Sequence, residues 1–161
     1  MNPKQEFLND YIGSSHDLAS QLPEPSPTKT KAAKWAELLL HMQGNWDRPN
    51  LYRANQFSRM VYTQGVRHFA DTLEAHWLID LIASHQPEIA RKHTEAIDFQ
   101  VWTVTHSQTH PNGWFVAAWS DVPEESAMIA HQEVEFSDLP REIKPLKFYV
   151  ENNTLLFPAE H

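Results

Sequence analysis

The fold is decided by residues 63–84, which read TQGVRHFADTLEAHWLIDLIAS. At 100° per residue, one arc of a helix over this stretch carries Val66, Phe69, Ala70, Leu73, Trp77 and Leu81. Leu78, Ile79 and Ile82 fall on the opposite side, so the second half is apolar nearly all round. We predict one central helix over about 64–84, capped by Thr63. It should be buried on two sides, by a sheet and by either another helix or a second subunit.

Two shorter helices are predicted around the central one. Residues 31–42 read KAAKWAELLLHM, and Gly44 follows them as a glycine commonly follows a helix end. Pro87 suits the first turn of a short helix over about 87–92, because proline fits the first helical position. Residues 45–62 show no period and are predicted to be irregular.

The remainder of the chain predicts strands. Segments rich in β-branched and aromatic residues lie at 99–105, 114–119, 127–136, 146–150 and 154–157. Pro111-Asn112-Gly113 and Asn152-Asn153 are turn signals between neighbouring segments. Helices first and strands after predict an α+β domain. In it, an antiparallel sheet of four to five strands packs on the central helix and on the helix over 31–42.

Residues 1–30 are predicted to be an extension of a single domain over residues 31–161. Alternating prolines predict an extended linker at Pro23, Pro25 and Pro27. Before the linker, a helix-face spacing is shown by Phe7, Leu8, Tyr11 and Ile12. These four residues predict a short helix that docks on its own domain or on a neighbouring copy.

Composition and charge exclude several classes of protein. The 161 residues contain no cysteine, which excludes disulfides and thiolate chemistry and agrees with a reducing compartment. The net charge is −8, and residues 121–161, with nine acids and three bases, account for −6. A general nucleic-acid binder would need clustered bases instead. Because we find neither a signal peptide nor an apolar run of about 18 residues, we expect a cytoplasmic protein without a membrane span.

An arginine-rich and aromatic segment leads into the central helix. Residues 48–67 hold four arginines and no acid. A helix N-terminus offers free N–H groups, and a glycine there lets an anion approach closely. We therefore predict that a small phosphate-containing ligand such as a nucleotide is bound by Tyr52, Arg53, Tyr62, Thr63 and Gly65. The alternative is a solvated loop whose arginines pair with the acidic C-terminal third.

Histidines and Asp80 form the remaining candidate sites. The helix pattern places Asp80 on the core face, one turn after His76, which predicts either a general acid–base pair or a structural hydrogen-bond network. A zinc or nickel site is the other candidate, built from His106, His110 and His131; its alternative is ordinary exposed or core histidines. Four glycines and no cysteine leave no phosphate-loop, dinucleotide or nucleophile motif, so no cofactor is predicted.

Several sequence blocks form an ordered series. They are Tyr62–Val66, Trp77–Gln86, Phe99–Trp102, Phe136–Pro140 and Leu155–Glu160. Over roughly residues 38–161 the series resembles a family of small bacterial proteins, the domain-of-unknown-function family numbered 6876. The chain departs from that family's tendencies at Ala54, in place of histidine, at Ala159, in place of serine, and at His161, in place of tyrosine. The resemblance implies a cytoplasmic protein of bacteria, their plasmids or their phages, and it transfers no activity.

Two functions are compatible with these observations. The first is a non-enzymatic interaction module with a protein partner, indicated by the missing catalytic motifs, the acidic C-terminal third and the six tryptophans. By analogy with mobile elements, that partner would be a host or defence protein. The second is a nucleotide- or phosphate-binding protein, either a sponge or a weak hydrolase. A homodimer would also account for the apolar second half of the central helix.

Overall fold

The structure, a computed structural model, describes residues 30–42 and 51–161, without the side chains of residues 38–42. The predicted linker and docking helix lie outside the described residues, as do Gly44 and Arg48. Three α-helices are described: α1 (Lys31–Met42), α2 (Gln64–Leu73) and α3 (His76–Lys92). In this part of the chain no helix combines the length and the apolar character needed to cross a bilayer.

The single predicted helix over 64–84 is wrong, because the chain breaks between α2 and α3. Glu74 takes a left-handed conformation, with φ 54° and ψ 44°, and its N–H donates to the carbonyl of Ala70 to end α2. The apolar arc that appeared to switch sides therefore belongs to two separate helices, each with its own buried face.

The predicted short helix over 87–92 is also wrong, since Pro87 lies inside α3. An internal proline removes one helical hydrogen bond and costs about 3 kcal/mol in an isolated helix. Here α3 buries residues before and after the proline, Ile82 and Ile89 among them, so tertiary packing maintains the helix through it.

Seven strands of the described residues form one sheet. They are β1 (Tyr52–Arg53), β2 (Val61–Tyr62), β3 (Phe99–His106), β4 (Trp114–Trp119), β5 (Met128–Val134), β6 (Leu146–Glu151) and β7 (Thr154–Leu156). Their order is β1-β2-β7-β6-β3-β4-β5. All neighbouring pairs are antiparallel except β2 and β7, which are parallel. Asn152 and Asn153 both have positive φ and make the β6–β7 turn as predicted.

The α+β class is confirmed, although the sheet has more strands than the predicted four to five. The additional strands, β1 and β2, lie in the segment predicted to be irregular. Each is two residues long, too short to show a period of two, and pairing with the rest of the sheet holds them in place.

The helices pack on one face of the sheet. Aromatic rings join the layers. The ring centroids of Phe69 in α2 and Phe148 in β6 lie 5.5 Å apart, and those of Trp35 in α1 and Phe157 lie 5.4 Å apart. The centre of this layer also contains a polar pair. Gln86 of α3 and Gln100 of β3 exchange two side-chain hydrogen bonds of 3.0 and 2.8 Å. Trp102 Nε1 donates to Gln100 Oε1 at 2.8 Å, so this buried amide ties the helix layer to the sheet.

We expect Gln86→Ala to destabilise the fold by about 1–3 kcal/mol, because it leaves the buried Nε2 group of Gln100 without the acceptor that Gln86 Oε1 provides. The control is Arg91→Ala on the exposed side of the same helix, expected within about 0.5 kcal/mol of wild type. Urea unfolding followed by circular dichroism measures both. Equal stabilities for the two variants would contradict a structural role for the pair.

Candidate functional site

The N-terminus of α2, where the sequence predicts a phosphate, holds a carboxylate of the chain itself. Thr63 caps the helix, and its Oγ1 accepts from the N–H of Val66 at 3.3 Å. The same hydroxyl donates to Glu160 Oε1 at 2.8 Å. The backbone N–H of Phe157 also donates to Glu160 Oε1, at 3.1 Å. A helix N-terminus favours negative charge, and here Glu160 supplies it.

Gly65 is the residue that lets this carboxylate approach. A Cβ placed on Gly65 would lie 2.6 Å from Glu160 Oε1 and 2.8 Å from Oε2, well inside van der Waals contact. Glu160 Oε2 is buried and has no hydrogen-bond partner among the described residues. The glycine thus makes room for the carboxylate of Glu160, a group of the chain itself, where the sequence predicts a phosphate-containing ligand.

The other predicted phosphate ligands divide into two groups. Tyr52 and Tyr62 lie together, with ring centroids 5.7 Å apart, and the Arg67 guanidinium lies 4.3 Å from the centroid of Tyr52. Burial raises the pKa of the Tyr62 phenol, and the nearby charge of Arg67 opposes that shift. Arg53 is exposed and donates from Nε to the carbonyl of Ser58 at 3.1 Å. The tyrosines therefore hold Arg67, while Arg53 stabilises its own loop.

The predicted core position of Asp80 is wrong: the residue is exposed. After the break at Glu74, the buried side of α3 is set by Leu78, Ile79 and Ile82, which turns Asp80 outward. His76 instead contacts Asp71 Oδ1 through Nε2 at 2.7 Å, with both side chains about half exposed. This pair bridges the ends of the two helices at the surface.

The three candidate metal ligands do not meet. His106 is opposite Trp114 on the helix side of the sheet, with ring centroids 4.5 Å apart. His131 is paired with Ala117 on the other side, and its ring lies 5.8 Å from that of Phe115. Among residues 30–37 and 51–161, no three histidine, aspartate or glutamate side chains are grouped so that they could hold a metal ion.

The third candidate, His110, belongs to a polar cluster that sequence reasoning missed. Glu133 Oε1 of β5 is contacted by Ser107 Oγ, by Thr109 Oγ1 at 3.3 Å and by His110 Nδ1 at 3.4 Å. Ser107 Oγ also accepts from the N–H groups of Thr109 and His110. Because Ser107 and Glu133 are 26 residues apart, no local sequence pattern joins them. The cluster fastens the β3–β4 turn to the neighbouring strand.

The sheet face opposite the helices, which we call the open face, is covered by no helix of the described residues. One row of residues crosses it through five strands. The pairings join Leu156 to Tyr149, Tyr149 to Val101, Val101 to Trp119 and Trp119 to Met128. We call this row the apolar band.

Side chains in and beside the apolar band remain partly accessible. Tyr149 and Trp119 are half-buried, and Met128 is 40% exposed. Phe99 also lies on this face, half-buried, with its ring centroid 5.1 Å from that of Tyr149. Val101 and Leu156 are buried, so the accessible part of the band consists of Tyr149, Trp119 and Met128.

Charged and polar side chains border the apolar band. The next row of the open face has an exposed residue at each end, Lys147 and His131. The pairings along this row join Lys147 to Thr103, Thr103 to Ala117 and Ala117 to His131. Glu151 lies at the opposite border, 3.2 Å from the imidazole of His161. An apolar centre with a charged border of both signs is the usual composition of a protein-binding surface.

Comparison with known proteins identifies a family for this chain. A family model described as a family of unknown function, DUF6876, matches residues 37–161. No curated protein and no solved structure matches the chain. Two of the sequence blocks that carry the resemblance, Tyr62–Val66 and Leu155–Glu160, meet at the Thr63–Glu160 hydrogen bond.

We expect Gly65→Ala to lower stability by about 1 kcal/mol in the wild-type background, because the new methyl group displaces a carboxylate held by two hydrogen bonds. In a Glu160→Ala background the same change should be neutral or stabilising by up to about 1 kcal/mol, since alanine favours a helix over glycine. Chemical unfolding of the four proteins completes the double-mutant cycle. An identical effect of Gly65→Ala in both backgrounds would contradict the contact.

We expect the stabilisation from Glu133 to depend on pH. Its hydrogen bond with Ser107, followed by those with His110 and Thr109, holds the pKa of Glu133 below its ordinary value against the opposing effect of burial. A lowered carboxyl pKa stabilises the fold above about pH 4 and loses this effect as the pH falls through the lowered pKa.

The melting-temperature difference between wild type and Glu133→Gln should therefore be largest near neutral pH and vanish in acid. Glu135→Gln controls for the loss of one charge. A difference that persists in acid would contradict this explanation.

Proposed function

The chain belongs to the DUF6876 family of unknown function, and we propose that it is a non-enzymatic interaction module that binds a protein partner through the open face of its sheet. The apolar band is the observation that carries this proposal. It presents Tyr149, Trp119 and Met128 in one row across neighbouring strands.

The physical argument is the cost of leaving such a surface in water. Large contiguous apolar patches on monomeric proteins are uncommon and commonly mark interaction sites. Aromatic residues and methionine are enriched at the centres of interfaces, where burying them contributes most of the binding free energy. A matching partner would present apolar side chains to the band and charges of both signs to its border.

The alternative, a nucleotide or phosphate ligand at α2, meets an obstacle. Glu160 Oε1 accepts hydrogen bonds from Thr63 and from the N–H of Phe157 at the helix N-terminus. A phosphate at this position would have to displace that carboxylate or bind beside it at the cost of charge repulsion. For this reason the open face supports a function better than the helix N-terminus does.

The setting of this function follows from the family resemblance. We propose that the module acts in the cytoplasm of a bacterial cell and that its partner is a protein of the host cell or of its defence. Carriage of the gene by a plasmid or phage is part of the same proposal. The family resemblance is the basis of these points.

We expect the double change Tyr149→Glu and Met128→Glu to weaken partner binding at least tenfold, because it places two charges in the centre of the contact. The matched control is Phe57→Glu, which alters a 90% exposed aromatic residue in the β1–β2 connection. Capture from bacterial lysate with wild-type protein identifies the partner, and titration with the purified partner measures the three affinities. If the double variant has a much lower melting temperature than wild type, the single variant Met128→Glu is tested in its place.

Two outcomes would overturn the proposal. Equal affinities of the double variant and wild type would show that the partner binds elsewhere than on the open face. A rise in the melting temperature with phosphate or a nucleotide would favour the alternative. The variant Glu160→Ala then tests whether that ligand binds at the N-terminus of α2. If phosphate binds at α2, emptying the helix N-terminus of its carboxylate should enlarge that shift.

A further inference from the structure

Strand β5 forms one edge of the sheet, and its outer side pairs with no strand of the described residues. It is seven residues long, whereas β1 at the opposite edge has two. Edge strands are commonly interrupted by lysine or proline, or are covered, because their free backbone groups pair readily with another strand. β5 reads MIAHQEV and contains neither residue, so it is open to pairing.

The hydrogen-bond pattern of the sheet shows which backbone groups of β5 are free. The N–H of Ser107 donates to the carbonyl of Gly113 at 3.1 Å, in continuation of the β3–β4 register. Because successive residues of a strand direct their backbone groups to opposite neighbours, β4 bonds to β5 through its even-numbered residues. Their partners in β5 are Ala130, Gln132 and Val134. The N–H and C=O groups of His131 and Glu133 therefore point away from β4, to the side where the described sheet ends.

A second copy of β5 fits this edge in antiparallel orientation about a two-fold axis. Registers centred on His131, Gln132 or Glu133 all pair free backbone groups with free backbone groups. A centre at Glu133 places two carboxylates opposite each other, which is unfavourable. A centre at His131 places Glu133 opposite Ile129 of the second copy, beside the irregularity in the β4–β5 register. A centre at Gln132 places His131 opposite Glu133 of the second copy, and charge therefore selects this register.

The side chains on both faces agree with the register centred on Gln132. On the open face, the imidazole of His131 meets a carboxylate at each of two symmetric positions. Within its own chain Glu133 makes its hydrogen bonds to the β3–β4 turn through Oε1, so Oε2 is left to accept from that imidazole. On the helix side, Ala130 lies opposite Val134 of the second copy, and both are half-buried apolar residues.

We propose that the protein forms a homodimer through β5, in which two sheets join antiparallel about a two-fold axis at Gln132. The contact is self-complementary, as a two-fold interface requires. The axis stands perpendicular to the joined sheet, so both open faces lie on the same side and the dimer presents two apolar bands together. The pairing uses residues 130–134, none of which belongs to the apolar band, and it does not rest on the function proposed for that band.

The chain has no cysteine, so a single introduced cysteine reports the contact. Gln132→Cys places two thiols at the axis in a non-hydrogen-bonded pair, whose Cα atoms lie about 4.5 Å apart, within disulfide range. The matched control is Ala130→Cys on the same side of the same strand, whose two copies would lie roughly 13 Å apart. Both proteins are incubated in a glutathione redox buffer and run on non-reducing gels. We expect at least tenfold more disulfide-linked dimer for Gln132→Cys, and equal yields would overturn the proposal.

A mixture of two variants tests the register. Ala130→Cys and Val134→Cys are opposite each other when the axis lies at Gln132, so the mixture should form a disulfide-linked heterodimer several-fold faster than either protein forms a homodimer. Equal rates for the mixture and the separate proteins would overturn this register.

Self-association without cysteine is tested with His131→Pro. Proline removes an N–H that points away from β4, so the monomer keeps its own ladder while the dimer loses hydrogen bonds. Sedimentation equilibrium should show a monomer–dimer equilibrium for wild type and at least tenfold weaker association for the variant. The partner-binding variant Tyr149→Glu alters the open face alone and should dimerise like wild type, which separates this proposal from the function of that face.

The opposing results are distinct. Wild type that stays monomeric up to about millimolar concentration would overturn the dimer, as would equal association of wild type and His131→Pro. A monomeric chain whose β5 amides become protected from hydrogen exchange only when a captured partner is added would assign this edge to a strand of that partner. Gln132→Cys changes an exposed side chain, so the disulfide comparison remains decisive if His131→Pro has a much lower melting temperature than wild type.

Discussion

The carboxylate of Glu160 against the first turn of α2 is the interaction on which the arrangement of the layers depends. It joins the last residues of the chain to Thr63, which directly follows β2. Phe157, whose N–H donates to the same carboxylate, also packs its ring against Trp35, Phe69 and Phe148. One short segment thereby fixes the start of α2, the position of α1 and the end of the sheet. The glycine at position 65 is the local condition for this contact.

With every described helix on one side, the sheet presents its second face to solvent or to another molecule. Alternation along the strands sends Trp102, Val104 and Phe148 into the core and Phe99, Val101 and Tyr149 outward. Antiparallel sheets commonly carry polar residues on such a face. This one carries an apolar row instead, and that departure is the basis for assigning a binding function to it.

The sequence predicted the elements whose signal is local. The bounds of α1 and β4 agree with the predicted ones, and the Asn152-Asn153 turn before β7 has the expected conformation. Each of these elements has a sequence signal that acts within a few residues: a helix period, an apolar strand segment and a pair of asparagines. The break at Glu74 was missed since a left-handed glutamate carries no composition signal. It turned Asp80 from the core to the surface. The carboxylate at Gly65 was not predicted, because Glu160 lies 97 residues away from Thr63 along the chain, beyond any local pattern.

The parallel pairing of β2 with β7 has a consequence for the order of assembly. Val61 pairs with Thr154, so closing this contact requires a chain loop of roughly 90 residues. The hairpins β3–β4, β4–β5 and β6–β7 close over much shorter loops and form earlier on entropic grounds. We therefore expect the corner where β2, the start of α2 and Glu160 meet to assemble last. By the same reasoning we expect it to open before the central strands do, so that its amides exchange with solvent while the β3–β4 ladder stays protected.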